Sequence, residues 1–224
     1  DISDKEFDKK VSRTKNRPIA SNKVSIKLAI FYTIILCSLA FLVLINFNNL
    51  TIILALCSMP LAFTYPLMKR FTYWPQLFLG ITFNYGLILG WTSIAGEINI
   101  IPIVFYLGAI SWTLGYDTIY GFQDIKDDEI IGVKSTSIKF KNNPKSFLLL
   151  CYLIFISSII YTGLFMKFNY VFYFFLPIMV IFFLFFQIYK LDFKNPRSCL
   201  ETFQNNNLVG FAVLINLILG KVIV

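Results

Sequence analysis

The chain has 224 residues, 57% of them hydrophobic and 14% charged, with a mean hydropathy of +0.71 and a formal net charge of +8. Soluble domains carry about a quarter charged residues, so a soluble globular fold is excluded. The chain holds no histidine, which removes Ser-His-Asp and Cys-His catalysis, His-ligated haem and most zinc sites.

In chain order, a charged segment comes first, "DISDKEFDKKVSRTKNRPIASNKVS". Asp1, Asp4 and Asp8 recur at i, i+3, i+7, which predicts one face of a helix. Apolar runs follow near 24–46, 50–67, 77–95, 100–120, 147–166, 169–189 and 207–223, each approaching the roughly 20 residues that cross hydrocarbon. The second and seventh are shorter or less clean. No run alternates as a barrel strand does. The expected fold is all-α, a single polytopic bundle over 1–224.

The second span leads into "YPLMKRFTYWPQ", where Tyr65 and Lys69 are i, i+4 and share a face. An interfacial aromatic-plus-basic anchor explains that pair, and so does a site. Asn84 is a lone amide among Gly80, Gly86 and Gly90. It fits a bond across a helix interface or a polar substrate contact. After the fourth span comes "YDTIYGFQDIKDDEI". Asp117, Tyr120, Asp124 and Asp128 again predict one helical face. Four cysteines show no paired spacing, and three sit in apolar runs as small hydrophobes.

Of the 20 basic residues, 18 fall in the N-terminal segment and the loops after the second, fourth and sixth spans. Only Lys167 and Lys221 lie on the other side. The positive-inside rule then puts residue 1 in the cytoplasm or its organelle equivalent. The basic excess is an orientation signal, and no nucleic-acid partner is expected. Charges at helix ends are ordinarily solvated, but topology asks little of acids. Nine of the 12 acidic residues nonetheless sit in the two segments just quoted. Like charges stacked on one helix face repel, and Mg²⁺ reverses that sign, because it takes carboxylates together with phosphate oxygens and water. Two facing stripes are thus expected to hold Mg²⁺ and grip a diphosphate. Arg13, Lys15, Arg17, Lys69 and Arg70 would take the remaining phosphate charge.

On these residues the chain resembles the UbiA superfamily of intramembrane aromatic prenyltransferases. "DISDKEFD" supplies the family's first motif, N-D-x-x-D-x-x-x-D, apart from the leading Asn. "DTIYGFQDIKDD" matches the second motif at Asp117, Tyr120, Asp124 and Asp128, and Tyr65 with Lys69 matches Y-x-x-x-K. The flanks "KVSRTKNRPIAS", "YPLMKRFTYWPQ" and "IGVKSTSI" are most similar to the branch that prenylates 4-hydroxybenzoate. The resemblance implies a polyprenyl diphosphate donor, 4-hydroxybenzoate as acceptor, and Mg²⁺ on Asp1, Asp4, Asp8, Asp124 and Asp128. It implies chemistry at Asp117, Lys69 and Tyr65. Substrate contacts are expected from Arg13, Lys15, Arg17, Lys69, Arg70, Tyr120, Asn84 and Lys134. Asp117 would orient or deprotonate the acceptor, and Tyr65 or Tyr120 would face the cationic carbon.

The prenyl tail would lie in the bilayer, each buried CH₂ contributing roughly 0.8 kcal/mol. The family fold has nine helices, so two are expected ahead of this stretch, which begins inside the first motif without Met. The expected location is a bacterial or mitochondrial inner membrane, with the Asp motifs on the cytoplasmic or matrix side. A naphthoate, homogentisate or haem acceptor within the family, or a transporter, is the rival expectation. Transporters carry ionisable residues near the bilayer midplane, where these spans are almost free of charge.

Overall fold

The computed structural model describes residues 2–11 and 14–222. A single helical turn, α1 (Lys5–Asp8), precedes α2 (Ile26–Leu44) and α3 (Asn49–Thr64). A 3₁₀ turn (Tyr65–Leu67) and α4 (Met68–Phe71) extend α3. Then come α5 (Pro75–Ala95), α6 (Ile100–Gly121), α7 (Ile125–Ile131), α8 (Thr136–Lys139) and α9 (Pro144–Phe165). The last two spans are α10 (Tyr170–Ile181), which continues as a π-helical segment to Tyr189, and α11 (Pro196–Val222). Seven helical stretches are long and apolar enough to cross a membrane, as the runs predict.

Each span starts where its sequence supplies a cap. Ser25, Asn48, Asn99 and Asn169 accept backbone N–H groups at the starts of α2, α3, α6 and α10. Pro75, Pro144 and Pro196 open α5, α9 and α11, where a missing N–H costs nothing. The seventh span begins at Pro196, well ahead of the apolar run near 207. Its first turns carry Arg197, Glu201 and three successive asparagines, which depress the hydropathy without breaking the helix.

The helix α6 is the hub, packed on α5, α9 and α11. Its approach to α9 depends on Gly108, where an added Cβ would stand 1.7 Å from Ser158 Oγ. Side-chain amides tie the spans together. Asn206 Oδ1 on α11 accepts from Trp112 Nε1 of α6 at 2.9 Å and from Gln187 Nε2 at 3.0 Å. Gln187 Oε1 accepts from the Tyr152 hydroxyl of α9. Asn48 Nδ2 donates to the Thr92 carbonyl at 2.7 Å, joining α3 to α5. By contrast, α2 buries none of its residues.

One expectation about the second acidic segment is corrected. Asp117 to Asp128 do not lie on a single helix. α6 ends at Gly121, and α7 restarts at Ile125 with Asp124 at its N-cap. The break lets α8 come in beside α6: a Cβ at Gly121 would meet Ser137 Oγ at 2.3 Å. Likewise α1 is too short to present a stripe, and Asp4 is its N-cap. Asp1 lies outside the described residues.

Candidate active site

The first acidic segment is held by ion pairs. Asp8 is buried, and Arg17 Nη1 reaches its two carboxylate oxygens at 3.2 and 3.3 Å. Thr14 Oγ1 donates to the Asp8 carbonyl at 3.0 Å, which folds the following loop back over α1. Lys69 Nζ lies 2.8 Å from Asp4 Oδ2. The other oxygen, Asp4 Oδ1, is buried without a hydrogen-bond partner among the described residues, 4.0 Å from Arg70 Nη2. Lys69 and Arg70 both sit over the Phe7 ring, 5.3 and 5.2 Å from its centroid. Arg70 also donates to the Ser3 carbonyl at 2.5 Å. The Tyr65–Lys69 turn and α1 are thereby clasped together.

The second acidic segment is held chiefly by buried neutral hydrogen bonds, and also by an exposed ion pair, Lys141 Nζ to Glu129 Oε1 at 2.7 Å. Thr118 and Thr136 share a hydrogen bond at 2.6 Å, and Ser137 Oγ donates to the Thr118 carbonyl at 2.8 Å. The Thr136 N–H donates to Gln76 Oε1 at 2.9 Å. Thr118, Thr136 and Ser137 are inaccessible to solvent. This knot joins the starts of α5 and α8 to the end of α6. It fixes the loop that carries Lys134, whose N–H donates to the Lys69 carbonyl at 2.9 Å.

The two segments meet around one cavity of about 360 Å³ at one end of the bundle. Nine of the residues expected at the site line it: Asp4, Asp8, Arg17, Tyr65, Lys69, Asp117, Asp124, Asp128 and Lys134. Others stand elsewhere. Lys15 is exposed and outside the lining. Arg70 is behind Asp4, where its contacts are those given above. Tyr120 packs its ring on Phe203 at 4.4 Å and is not among the lining residues. Asn84 is outside the lining and makes the helix-interface bond, one of the two readings of its sequence: its amide donates to Thr113 Oγ1 of α6 at 2.7 Å and to the Gly80 carbonyl at 2.8 Å. Arg13 lies outside the described residues. Gln76 and Ser135 line the cavity and were not singled out from sequence. Their signal was faint, two uncharged polar residues inside the flanks "TYWPQ" and "VKSTSI".

Asp117 also lines a second cavity, of about 380 Å³, walled by Trp112, Tyr116, Phe203, Phe211 and Asn206. One carboxylate thus stands where a charged chamber meets an aromatic one.

The donor set fits a hard divalent cation. It is made of carboxylates, and Asp4 presents a buried oxygen with no protein donor on it. Among the described residues no three acidic groups gather closely enough to hold an ion by themselves. The carboxylates instead come from two segments that line one cavity, an arrangement in which phosphate oxygens would supply further ligands.

These features define a class: an integral membrane protein with a polar chamber at one end of its spans, suited to a ligand with an anionic head and an apolar body. The family follows from comparison, since the UbiA prenyltransferase family model matches residues 1–214, and the chain belongs to that family. It is 40% identical, over its whole length, to "4-hydroxybenzoate polyprenyltransferase, mitochondrial" of Dictyostelium discoideum, covering 48% of that protein. It is 39% identical to the Bos taurus protein of the same name, with 99% of this chain and 60% of that one covered. The chain therefore spans about half the length of the curated relatives it matches. Among solved structures, a UbiA homolog from Aeropyrum pernix K1 superposes with a TM-score of 0.82 at 20% identity, covering 97% of this chain and 81% of that one. That likeness bears on the fold.

Proposed function

We propose that the whole protein transfers a polyprenyl group from polyprenyl diphosphate to 4-hydroxybenzoate, at the ring carbon ortho to the hydroxyl, in ubiquinone biosynthesis. The observation that carries this reading is the convergence of Asp4, Asp8, Asp124 and Asp128 with Arg17, Lys69 and Lys134 on one cavity, beside an aromatic chamber reached by Asp117. The relatives' names support the acceptor and a mitochondrial inner membrane.

The allylic C–O bond breaks, and its electron pair leaves with the diphosphate. The ortho carbon of the phenol then forms a C–C bond to the freed allylic carbon; its proton passes to the departed diphosphate, and the phenolic oxygen regains its proton from Asp117 as the ring becomes aromatic again. Mg²⁺ held by Asp4, Asp8, Asp124 and Asp128 would neutralise the leaving diphosphate. Lys69, Arg17 and Lys134 bind its remaining oxygens in a partly dry chamber, where fixed charges act most strongly. Asp117 takes the acceptor's phenolic proton, raising electron density at the ortho carbon. Tyr65, on the wall of the same cavity, presents its ring to the electron-poor carbon. Trp112, Tyr116 and Phe203 exclude water that would otherwise quench it.

The test is product formation from labelled 4-hydroxybenzoate and a polyprenyl diphosphate by the whole protein in lipid. Labelled prenylated product that disappears in excess EDTA is expected. Product formed equally well in EDTA contradicts the metal assignment. Preferential use of a naphthoate or homogentisate overturns the acceptor.

A further inference from the structure

The floor of the charged cavity contains a donor with no partner. Gln76, in the first turn of α5, is 7% exposed and lines the cavity. Its Oε1 is committed, because the Thr136 N–H can only donate, and does so at 2.9 Å. That bond fixes the orientation of the amide and leaves its NH₂ group on the Gly121 side. No hydrogen bond to Gln76 Nε2 is formed among the described residues. Nε2 is not fully buried, so a ligand in the cavity that Gln76 lines can reach it. The height of this group is informative. Nε2 is 3.5 Å from where a Cβ on Gly121 would stand. Gly121 ends α6, four residues after Asp117 and three before Asp124, which caps α7. The donor therefore stands at the break between the helix that carries the carboxylate assigned to the acceptor and the one that carries Asp128, with Asp124 at its cap.

We infer that Gln76 is a substrate-binding residue whose side-chain NH₂ donates to an oxygen of the diphosphate, on the side that faces the breaking C–O bond. This rests on the prenyl-transfer reading above. Negative charge grows on that oxygen as the bond breaks, and a preorganised neutral donor there stabilises the departing group without drawing the metal away. An amide suits this position better than a lysine. Lysine would lose the acceptor oxygen that anchors Thr136, and with it the placement of the Lys134 loop.

The test uses Gln76→Glu, which keeps an oxygen for the Thr136 N–H and the side-chain length but exchanges the donor for a second oxygen. Inorganic pyrophosphate binding with Mg²⁺ is measured by calorimetry on the whole protein in nanodiscs, beside steady-state kinetics. The expected result is at least a tenfold weaker pyrophosphate affinity and a comparable rise in the KM for the prenyl diphosphate. The KM for the aromatic acceptor should stay within twofold. Unchanged pyrophosphate affinity in a folded Gln76→Glu protein overturns the inference alone. Wild-type protein that binds no Mg²⁺–pyrophosphate overturns both this inference and the reading beneath it.

A second measurement covers the case in which the variant does not fold. In wild-type protein labelled with ¹⁵N-glutamine, one side-chain NH₂ pair should move when Mg²⁺–pyrophosphate is added, and should do so still in Gln123→Ala. Glutamine signals that all stay in place overturn the inference.

Discussion

The two acidic segments reach the same cavity but are secured by different physics. Asp4 and Asp8 are held by Lys69 and Arg17, charged partners that a phosphate group can compete for. Asp124 and Asp128 ride on a segment fastened by Gln76, Thr118, Thr136 and Ser137, neutral partners that no anion displaces. The difference teaches how such a site can be both shaped and exchangeable. One wall is set by buried hydrogen bonds, whose loss costs stability. The other is set by ion pairs in which largely buried carboxylates meet partly exposed Lys69 and Arg17, basic side chains that can turn from the carboxylates to a ligand.

The comparison can be broken at three places. The largest effect is expected at Asp124, whose carboxylate is proposed to hold Mg²⁺ on the fixed wall. Asp124→Asn should lower turnover at least about a hundredfold, in the range that loss of one electrostatic contributor produces, while membrane insertion and melting temperature are retained. Wild-type turnover by the variant in the labelled-acceptor assay would remove Asp124 from the site.

Next comes the knot itself. Thr136→Val preserves shape but removes the hydroxyl that pairs with Thr118 at 2.6 Å inside a dry contact. It should destabilise the protein by about 1–3 kcal/mol in a detergent thermal melt. An unchanged melt would mean that the second wall is not held as described.

The smallest effect on stability is expected on the other wall. Lys69→Gln leaves a donor within reach of Asp4 and should cost no more than about 1 kcal/mol. It should nevertheless weaken Mg²⁺–pyrophosphate binding about tenfold by calorimetry, because the charge is needed by the ligand more than by the fold. A large melt shift with intact affinity would reverse the assignment of that wall as exchangeable.

The same contrast explains what could be read from sequence. Seven spans were legible because hydrocarbon demands long apolar runs, and the clustering of acids in two segments was legible because topology asks little of acids. The break at Gly121 was not. Asp117, Asp124 and Asp128 have helical spacing whether or not the helix is continuous, and the break matters because α8 packs its Ser137 against Gly121. Asn84 is a lone amide in its span, whereas Asn206 stands within three successive asparagines. Asn84 joins Thr113 across two helices, while Asn206 links Trp112 to Gln187 and also lines the aromatic cavity. Which of them touches a cavity is decided by the helix that packs opposite, and local sequence does not carry that. Gln76 was invisible for a related reason. Its importance comes from one committed oxygen and one uncommitted nitrogen, which is a property of the folded contact with Thr136.

The central claim is that carboxylates from both segments share bound cations across one diphosphate. Mn²⁺, used in place of Mg²⁺, reports this directly by electron paramagnetic resonance. No three acidic groups meet at one point among the described residues, so Mn²⁺ alone should bind weakly and pyrophosphate should strengthen its binding at least about tenfold. Asp4→Asn and Asp124→Asn should each abolish that gain, although they lie on different walls. Undiminished pyrophosphate-dependent Mn²⁺ binding in either variant would contradict the account.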